Sequence, residues 1–223
     1  MTYTGDVRAG GPTALRVLDE VEIRKVAVGP MDNNTYLLTC RADGAQLLVD
    51  AADEPDRLLE LVREGSSTLD TIVTTHRHPD HLRALESLVA VTGASSASGA
   101  EDATAVSEAT DVPVARRLHD GDVLHVGHLV LHVIALRGHT PGSIALAYVE
   151  PGGRTHLFTG DSLFPGGVGR TTSPEAFDQL YGDVVVRVFE RFDDDTWVYP
   201  GHGADTTLGA ERPHLQEWRT RGW

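Results

Sequence analysis

Short apolar runs that alternate with polar residues predict a protein rich in β-strands. Glycine, proline, aspartate and asparagine, which favour turns, separate these runs. The predicted strands cover residues 21–28, 36–39, 46–49, 71–74, 121–136 (two strands around Gly127), 144–149, 156–159 and 196–199. Asp43-Gly44 and residues 151–153 are predicted to form the turns of two hairpins.

Other segments place apolar residues three or four positions apart, which predicts helices. The predicted helices cover residues 55–65, about 79–89, 173 to about 191, and 207–219. The third has a clear start, because Ser173 is a preferred N-cap residue and Pro174 suits the first helical position. Residues 1–20 contain several glycines and predict a loose arm. The small polar residues of 93–110 predict a surface connection inside one domain that spans 21–223.

The composition is that of a globular protein, because 40% of the 223 residues are hydrophobic and 23% are charged. The formal net charge of -14 argues against nucleic acid or an anionic membrane as the main partner. No apolar run approaches the ~18 residues of a membrane helix, and the N-terminus lacks the apolar core of a secretory signal. Cys40 is the single cysteine, so no internal disulfide can form and a reducing, cytoplasmic location is expected.

Four potential metal ligands stand close together directly after an apolar run. His76 and His78 are two residues apart, so in an extended segment their side chains point the same way. Pro79 suits the first position of a helix, which places Asp80 and His81 in the first turn beside the two histidines. A single zinc ion usually takes about four ligands. We therefore expect this arrangement, with nitrogens on both sides, to suit two adjacent cations better than one.

The spacing H-x-H-x-D-H of residues 76–81 resembles the signature of the metallo-β-lactamase superfamily. Three later stretches resemble the rest of its pattern in the same order: Gly138-His139-Thr140-Pro141-Gly142-Ser143, Thr159-Gly160-Asp161-Ser162-Leu163-Phe164 and Pro200-Gly201-His202-Gly203. Over about residues 20–210 the chain looks most like glyoxalase II-like, or hydroxyacylglutathione hydrolase-like, metallohydrolases. The resemblance implies an α+β fold, a four-layer αββα sandwich, with the site on loops at one edge of two sheets.

The resemblance also implies a ligand set of seven side chains. It gives the first metal site His76, His78 and His139, the second metal site Asp80, His81 and His202, and the bridging position Asp161. Two divalent metal ions are therefore expected, zinc in the first place and iron or manganese as alternatives. Such a pair lowers the pKa of a shared water, so that a bridging hydroxide attacks the substrate carbonyl. Asp80 and Asp161 are accordingly the predicted catalytic residues.

A loop soon after Asp161 supplies a candidate substrate contact. Gly169-Arg170-Thr171 resembles the G-R-T-D stretch that glyoxalase II-like thioesterases share with persulfide dioxygenases, although Thr172 stands in place of the aspartate. One hypothesis is that Arg170 binds an anionic part of the substrate. The alternative is that its side chain ties the loop down.

These features favour a dinuclear metal-dependent hydrolase that acts on a thioester. Its substrate would be a small thiol conjugate, whose thiol need not be glutathione. The main alternative is a persulfide dioxygenase with one iron held by His76, His139 and Asp161, the two-histidine, one-carboxylate set of oxygenases. A lactonase or β-lactamase is a further alternative. Neither nucleic acid nor a membrane is expected as a partner.

Overall fold

Two β-sheets form the centre of the computed structural model, which describes residues 3–222. The first sheet holds, in this order, β1 (Ala14–Val17), β2 (Val21–Val28), β3 (Asn33–Cys40), β4 (Gln46–Val49), β5 (Thr71–Thr74), β6 (Ser95–Gly99) and β7 (Arg116–Leu118). The second sheet holds β8 (Val123–Val126), β9 (Leu129–Ala135), β10 (Ile144–Val149), β11 (Thr155–Gly160), β14 (Trp197–Pro200) and β15 (Thr206–Thr207). The short strands β12 (Leu163–Phe164) and β13 (Gly167–Val168) pair separately.

Helices lie between the strands in sequence and after the last strand. They are α1 (Pro55–Glu64), α2 (Leu85–Thr92), α3 (Ala103–Thr110), α4 (Pro174–Val184), α5 (Leu208–Glu211) and α6 (Leu215–Arg221). Val185–Phe189 continues α4 as a π-helix. The terminal helix predicted over 207–219 is divided by a 3₁₀ turn at Arg212–His214, where Pro213 has no amide hydrogen to donate. Within residues 3–222, every helix is too short or too polar to cross a membrane.

Three layers of buried apolar side chains hold these elements together. Successive residues of a strand face opposite sides, so β3 gives Leu37 to an outer layer and Leu38 to the inner one. In the inner layer, Leu38 and Val73 of the first sheet belong to the same cluster as Leu146 and Phe158 of the second. The first sheet packs outward against α1, α2 and α3, and the second against α4, α5 and α6. The fold is therefore the α+β, four-layer αββα sandwich that the resemblance implied.

Parallel strands bring the candidate ligands to one edge of the sandwich. β4 is parallel to β5, and β11 is parallel to β14. Asp50 and Thr75 follow the first pair, and Asp161 and Gly201 follow the second. A hydrogen bond from Ile144 N to Thr75 O (3.0 Å) joins the two sheets here. Because carboxyl ends of parallel strands meet at one edge, the four segments converge there.

The prediction of a surface connection over residues 93–110 is wrong. This segment forms β6, which lies between β5 and β7 in the first sheet, and then α3. The side chains of Ser96, Ala97 and Ser98 are buried. They are too small and polar to give the apolar run by which a buried strand is recognised.

The helix predicted from Pro79 onward is interrupted. Pro79–His81 forms a 3₁₀ turn, and α2 begins only at Leu85. The amides of Arg83 and Ala84 donate to the carbonyl groups of residues 52 and 51 (3.1 and 3.0 Å). Since these amides bind the segment after β4, they cannot continue a helix.

Part of the predicted loose arm is ordered by contacts with the sheet. β1 pairs antiparallel with β2. Nearer the N-terminus, Lys25 Nζ donates to Gly5 O (2.8 Å) and the Tyr3 hydroxyl donates to Asp205 Oδ2 (2.8 Å). Residues 1, 2 and 223 lie outside the described residues, and the division into an arm and one domain stays a prediction.

A buried ion pair joins β2 to the loop after β14. Lys25 Nζ lies 2.6 Å from Asp205 Oδ1, and the two side chains are 0% and 1% exposed. Lys25 Nζ also donates to Gly203 O (2.8 Å), and Trp197 Nε1 donates to Asp205 Oδ2 (3.0 Å). The charges are thus paired and hydrogen-bonded, as burial requires.

We predict that Lys25→Met lowers the free energy of unfolding by about 3–5 kcal/mol, because the buried carboxylate of Asp205 would lose the opposite charge beside it. Urea denaturation followed by circular dichroism measures this. The control is Arg154→Met, which removes an exposed pair with Asp195 (side chains 47% and 56% exposed) and should cost less than about 1 kcal/mol. Equal losses in the two variants would contradict the prediction.

Candidate metal centre

The structure brings all seven predicted ligands together at this edge. The ligand atoms of His76, His78 and His139 lie within 4.8 Å of one another, and so do those of Asp80, His81 and His202. Asp161 lies beside both groups, since its oxygens are 4.0 Å or less from one or more histidine nitrogens of each. The exposed histidines of β8 and β9 form no such cluster within the described residues.

The position of Asp161 fits a bridging carboxylate. Its Oδ2 lies 4.0 Å from His76 Nε2 and 3.6 Å from His139 Nε2, both in the first group. On the other side, Oδ2 lies 3.6 Å from His202 Nε2 and Oδ1 lies 3.4 Å from His81 Nε2. Ligands about 2.0–2.1 Å from a tetrahedral zinc ion stand about 3.3 Å apart. The observed separations therefore fit side chains that share cations.

Hydrogen bonds at Nδ1 hold four of the five histidines in a fixed orientation. The partners are Thr75 Oγ1 for His76 (3.0 Å), Asp50 Oδ2 for His81 (2.8 Å), Arg170 O for His139 (2.6 Å) and Met31 O for His202 (3.1 Å). The Thr75 hydroxyl already donates to Asp50, so it accepts from His76. An Nδ1 that donates leaves Nε2 as the nitrogen for a metal.

Four polar atoms at the centre have no partner in the protein. The Nε2 atoms of His76, His81 and His139 and the Oδ1 atom of Asp161 are buried without a hydrogen bond to any residue of 3–222. Each such atom costs about 1–3 kcal/mol. Imidazole nitrogens and carboxylate oxygens are ligands of zinc and iron. The convergence of these four atoms fits a metal centre better than a hydrogen-bonded cluster.

The electrostatic environment differs between the two groups. Burial lowers the pKa of His76 well below its usual value, and the neighbouring imidazoles lower it further. Burial also opposes a charge on His81, but Asp50 and Asp161 outweigh it and raise the pKa of His81 to about 10. A cation bound at Nε2 of His81 would take the place of that proton.

The sequence reasoning missed Asp50, which directly follows β4. Its Oδ1 accepts from Thr75 N (2.7 Å), and its Oδ2 accepts from Thr75 Oγ1 (2.8 Å) and His81 Nδ1 (2.8 Å). With three donors, this carboxylate is satisfied and orients His81 instead of holding a cation. Asp50 has φ 59°, a left-handed conformation that is strained for a residue other than glycine. An aspartate at the end of the strand next to β5 is the signal that could have identified it.

Asn33 and Asn34 were also missed. Asn33 Nδ2 donates to Asp80 Oδ2 (2.9 Å), so the start of β3 supports the second ligand group. Asn34 Nδ2 donates to Gly203 O (2.9 Å), and Asn34 N donates to Gly201 O (2.7 Å). These bonds hold the backbone on both sides of His202.

Two glycines give the ligands room. A Cβ on Gly201 would lie 2.2 Å from Asp161 Oδ1 and 2.9 Å from His81 Cε1. A Cβ on Gly169 would lie 1.7 Å from Asp161 O. A larger residue at Gly201 would displace the carboxylate of Asp161, and one at Gly169 would displace its backbone carbonyl.

Arg170 lies at the rim of the site. Its carbonyl oxygen anchors His139, while its exposed guanidinium forms no hydrogen bond or ion pair with other residues of 3–222. The alternative, in which this side chain holds its own loop in place, is therefore not supported by any contact of the guanidinium with residues 3–222. The contact of Arg170 with substrate stays a prediction.

Several known proteins are similar to this chain in sequence or in fold. The family model of the metallo-β-lactamase superfamily matches residues 28–203. A hydroxyacylglutathione hydrolase of Polaromonas sp. is 31% identical over 172 residues, which are 76% of this chain but only 62% of that protein's length. ETHE1 from Myxococcus xanthus has a crystal structure with 30% identity and a TM-score of 0.74, covering 86% of this chain and 82% of that chain. TTHA1623, in a di-iron-bound form, has 31% identity and a TM-score of 0.67, covering 84% and 96%.

We predict that the protein binds two Zn²⁺ ions at saturation, because two groups of ligands are complete. Asp161→Ala should retain less than one, since it removes the group that reaches both. Elemental analysis after dialysis against Zn²⁺ measures the ratio. The control is His132→Ala, on the exposed face of β9, which should retain two. A ratio of one in the wild type, or of two in Asp161→Ala, would show that the bridge is assigned wrongly.

Proposed function

The chain belongs to the metallo-β-lactamase superfamily, and we propose that it is a dinuclear metal-dependent hydrolase of thioesters. The observation that carries the proposal is the position of Asp161 between two groups of ligands. The thioester is supported by the likeness to the hydroxyacylglutathione hydrolase of Polaromonas sp.. In the reaction, water oxygen joins the acyl carbon, the carbon–sulfur bond breaks, and a carboxylic acid and a thiol leave.

Exposure indicates how a substrate approaches the centre. The side chains of His81 and His76 are 0% and 1% exposed, whereas those of Asp80 and His202 are 16% and 23% exposed. We infer that the buried histidines form the floor and that the thioester carbonyl enters over Asp80 and His202. Two divalent cations bound here would polarise that carbonyl and lower the pKa of a water molecule towards 7.

Asp80 and Asp161 are the proposed catalytic carboxylates. Asp161 keeps the two groups at a fixed separation and supplies negative charge between them. Asp80 lies on the open side, where the hydrogen bond from Asn33 Nδ2 (2.9 Å) fixes its Oδ2. Its pKa lies below the usual value, chiefly because of the hydrogen bond with His202, so it is a carboxylate at neutral pH.

We propose zinc as the metal, with iron as the first alternative. Nitrogen and oxygen ligands of this kind accept both metals. The di-iron-bound form of TTHA1623, a protein 31% identical to this chain, supports the alternative. The proposed substrate is a small thiol conjugate, and the buried single cysteine, Cys40, is consistent with a reducing cytoplasm.

A second candidate is a mononuclear-iron persulfide dioxygenase. His76, His139 and Asp161 form a two-histidine, one-carboxylate set, with Asp161 Oδ2 lying 4.0 and 3.6 Å from the two Nε2 atoms. Such a set is typical of non-haem iron oxygenases. His202 lies outside it, so this residue separates the two candidates.

We predict that His202→Ala lowers thioesterase activity by at least about 10²–10³-fold, the cost of one lost oxyanion-stabilising contact. The variant should lose the second cation and keep the first. In the dioxygenase, oxygen uptake with a persulfide should instead survive within about tenfold. Release of thiol from a hydroxyacyl thioester and oxygen consumption are measured on wild type and variant at matched metal content.

The comparison also needs a histidine outside the centre. His132→Ala serves as the control and should leave both activities unchanged. The hydrolase proposal would fall if the wild type consumed oxygen, the variant still did so, and neither cleaved a thioester.

We predict that Arg170→Ala raises KM about tenfold with little change in kcat. An exposed cation that only binds the substrate stabilises the bound substrate and the transition state equally, so its loss weakens binding without slowing the bound complex. Alanine keeps the carbonyl that anchors His139. Steady-state kinetics with a hydroxyacyl thioester measure the split, and Arg154→Ala is an exposed arginine control. An unchanged KM with easier unfolding would support a structural role instead.

A further inference from the structure

Asp102 is a buried carboxylate that stands between β6 and α3, at the N-cap of α3. An aspartate at this position usually accepts a hydrogen bond from the amides of its own helix. Asp102 makes no such bond. Its carboxylate points instead to two loops of the metal centre.

Three donors from these loops converge on Asp102. Arg77 N donates to Oδ2 (3.1 Å), from between His76 and His78. Thr140 Oγ1 donates to the same oxygen (2.5 Å), and Gly142 N donates to Oδ1 (3.0 Å), both from the loop that begins at His139. Both oxygens therefore have partners, and the carboxylate joins the two loops that carry the first ligand group.

The contact between Asp102 and the loop of His139 is so close that it requires a glycine at position 142. A Cβ on Gly142 would lie 2.8 Å from Asp102 Cγ, so only glycine permits this approach. Across the joined loops, the His139 ring centroid lies 4.5 Å from that of His78 and 4.8 Å from that of His76. A shift of either loop would change these separations directly.

We propose that Asp102 is a positioning residue that sets the spacing of the first ligand group by clamping its two loops together. The proposal rests on the metal-centre part of the proposed function, but not on the substrate. The donors to Asp102 lie beside His76, His78 and His139, and none is adjacent in sequence to Asp80, His81 or His202, so its effect should fall mainly on the first cation.

Asp102→Asn is the test variant. Asparagine has nearly the same size but replaces one acceptor oxygen by an NH₂ group, which cannot accept from the loop donors. Asp102→Asn is combined with each of two ligand variants, so that the affinity for each cation is measured separately. His202→Ala removes a ligand of the second group, and His139→Ala removes a ligand of the first. Zn²⁺ affinity is measured in each background by competition with a chelating dye.

In the His202→Ala background, we expect Asp102→Asn to weaken Zn²⁺ binding by about 10–100-fold, the usual effect of losing an outer partner of a metal site. In the His139→Ala background, Zn²⁺ affinity should change less than about threefold. Thr140→Val, which removes one donor and keeps the carboxylate, should show a smaller effect with the same selectivity. This variant also tests the proposal if Asp102→Asn fails to fold.

Glu211→Gln is the matched control. Glu211 is a buried carboxylate that accepts from one backbone amide, Gly166 N (2.8 Å), and one threonine hydroxyl, Thr206 Oγ1 (2.6 Å). The Glu211→Gln substitution should lower the unfolding midpoint of the metal-free protein without changing Zn²⁺ affinity in the His202→Ala background. Equal weakening by Asp102→Asn in both backgrounds, or none in the His202→Ala background, would overturn the clamp.

The outcomes also separate this proposal from the proposed function. Selective loss of the first cation in a protein that cleaves no thioester would support the clamp and reject the thioesterase. Thioesterase activity in the wild type, together with no selective loss of the first cation in Asp102→Asn, would support the thioesterase and reject the clamp.

Discussion

The metal centre depends on buried imidazole rings that present Nε2 to a common point. A ring can turn about its bond to Cβ, and a buried nitrogen without a partner is unfavourable, so the rings would not hold this orientation unaided. Hydrogen bonds at Nδ1 supply the constraint. Their partners lie after β4, after β5, before β3 and after β13, which are four separate segments. Met31 precedes β3 of the first sheet and His202 follows β14 of the second, so the His202 ring is held in this orientation only when both sheets are packed together, and cation binding is linked to the fold.

Bound cations would offset the acidity of the chain at this site. The chain has a formal net charge of -14, but five neutral imidazoles add no charge to the centre. Asp80 and Asp161 supply two negative charges, and Asp50 supplies a third behind His81. Two divalent cations bound here would exceed this sum by one charge, which a bound hydroxide would cancel, so the loaded centre would lack the negative charge of the rest of the protein.

Sequence patterns could predict the elements whose chemistry is local. Apolar alternation located β2, turn residues located the two hairpins, and the capping preference of Ser173 located the start of α4. The seven candidate ligands were recognisable because a resemblance fixes their order, and the structure brings them together. β6 was missed because its buried side chains are small and polar, so periodicity gives no signal. Asp50, Asn33 and Asp102 were missed because each acts on a segment distant in sequence, and only the folded sheets bring donor and acceptor together.

The two ligand groups are supported by different parts of the chain. The first group is framed by the loops that meet at Asp102, on the side of β6 and α3. The second group is framed by Asn34 and by Lys25, which bind Gly203 and so link His202 to β2 and β3. The segment that sequence alone describes as a loose arm joins this second support, because Gly5 O binds Lys25 Nζ. The two groups are connected through Asp161 and through the loop of residues 76–81, which carries ligands of both.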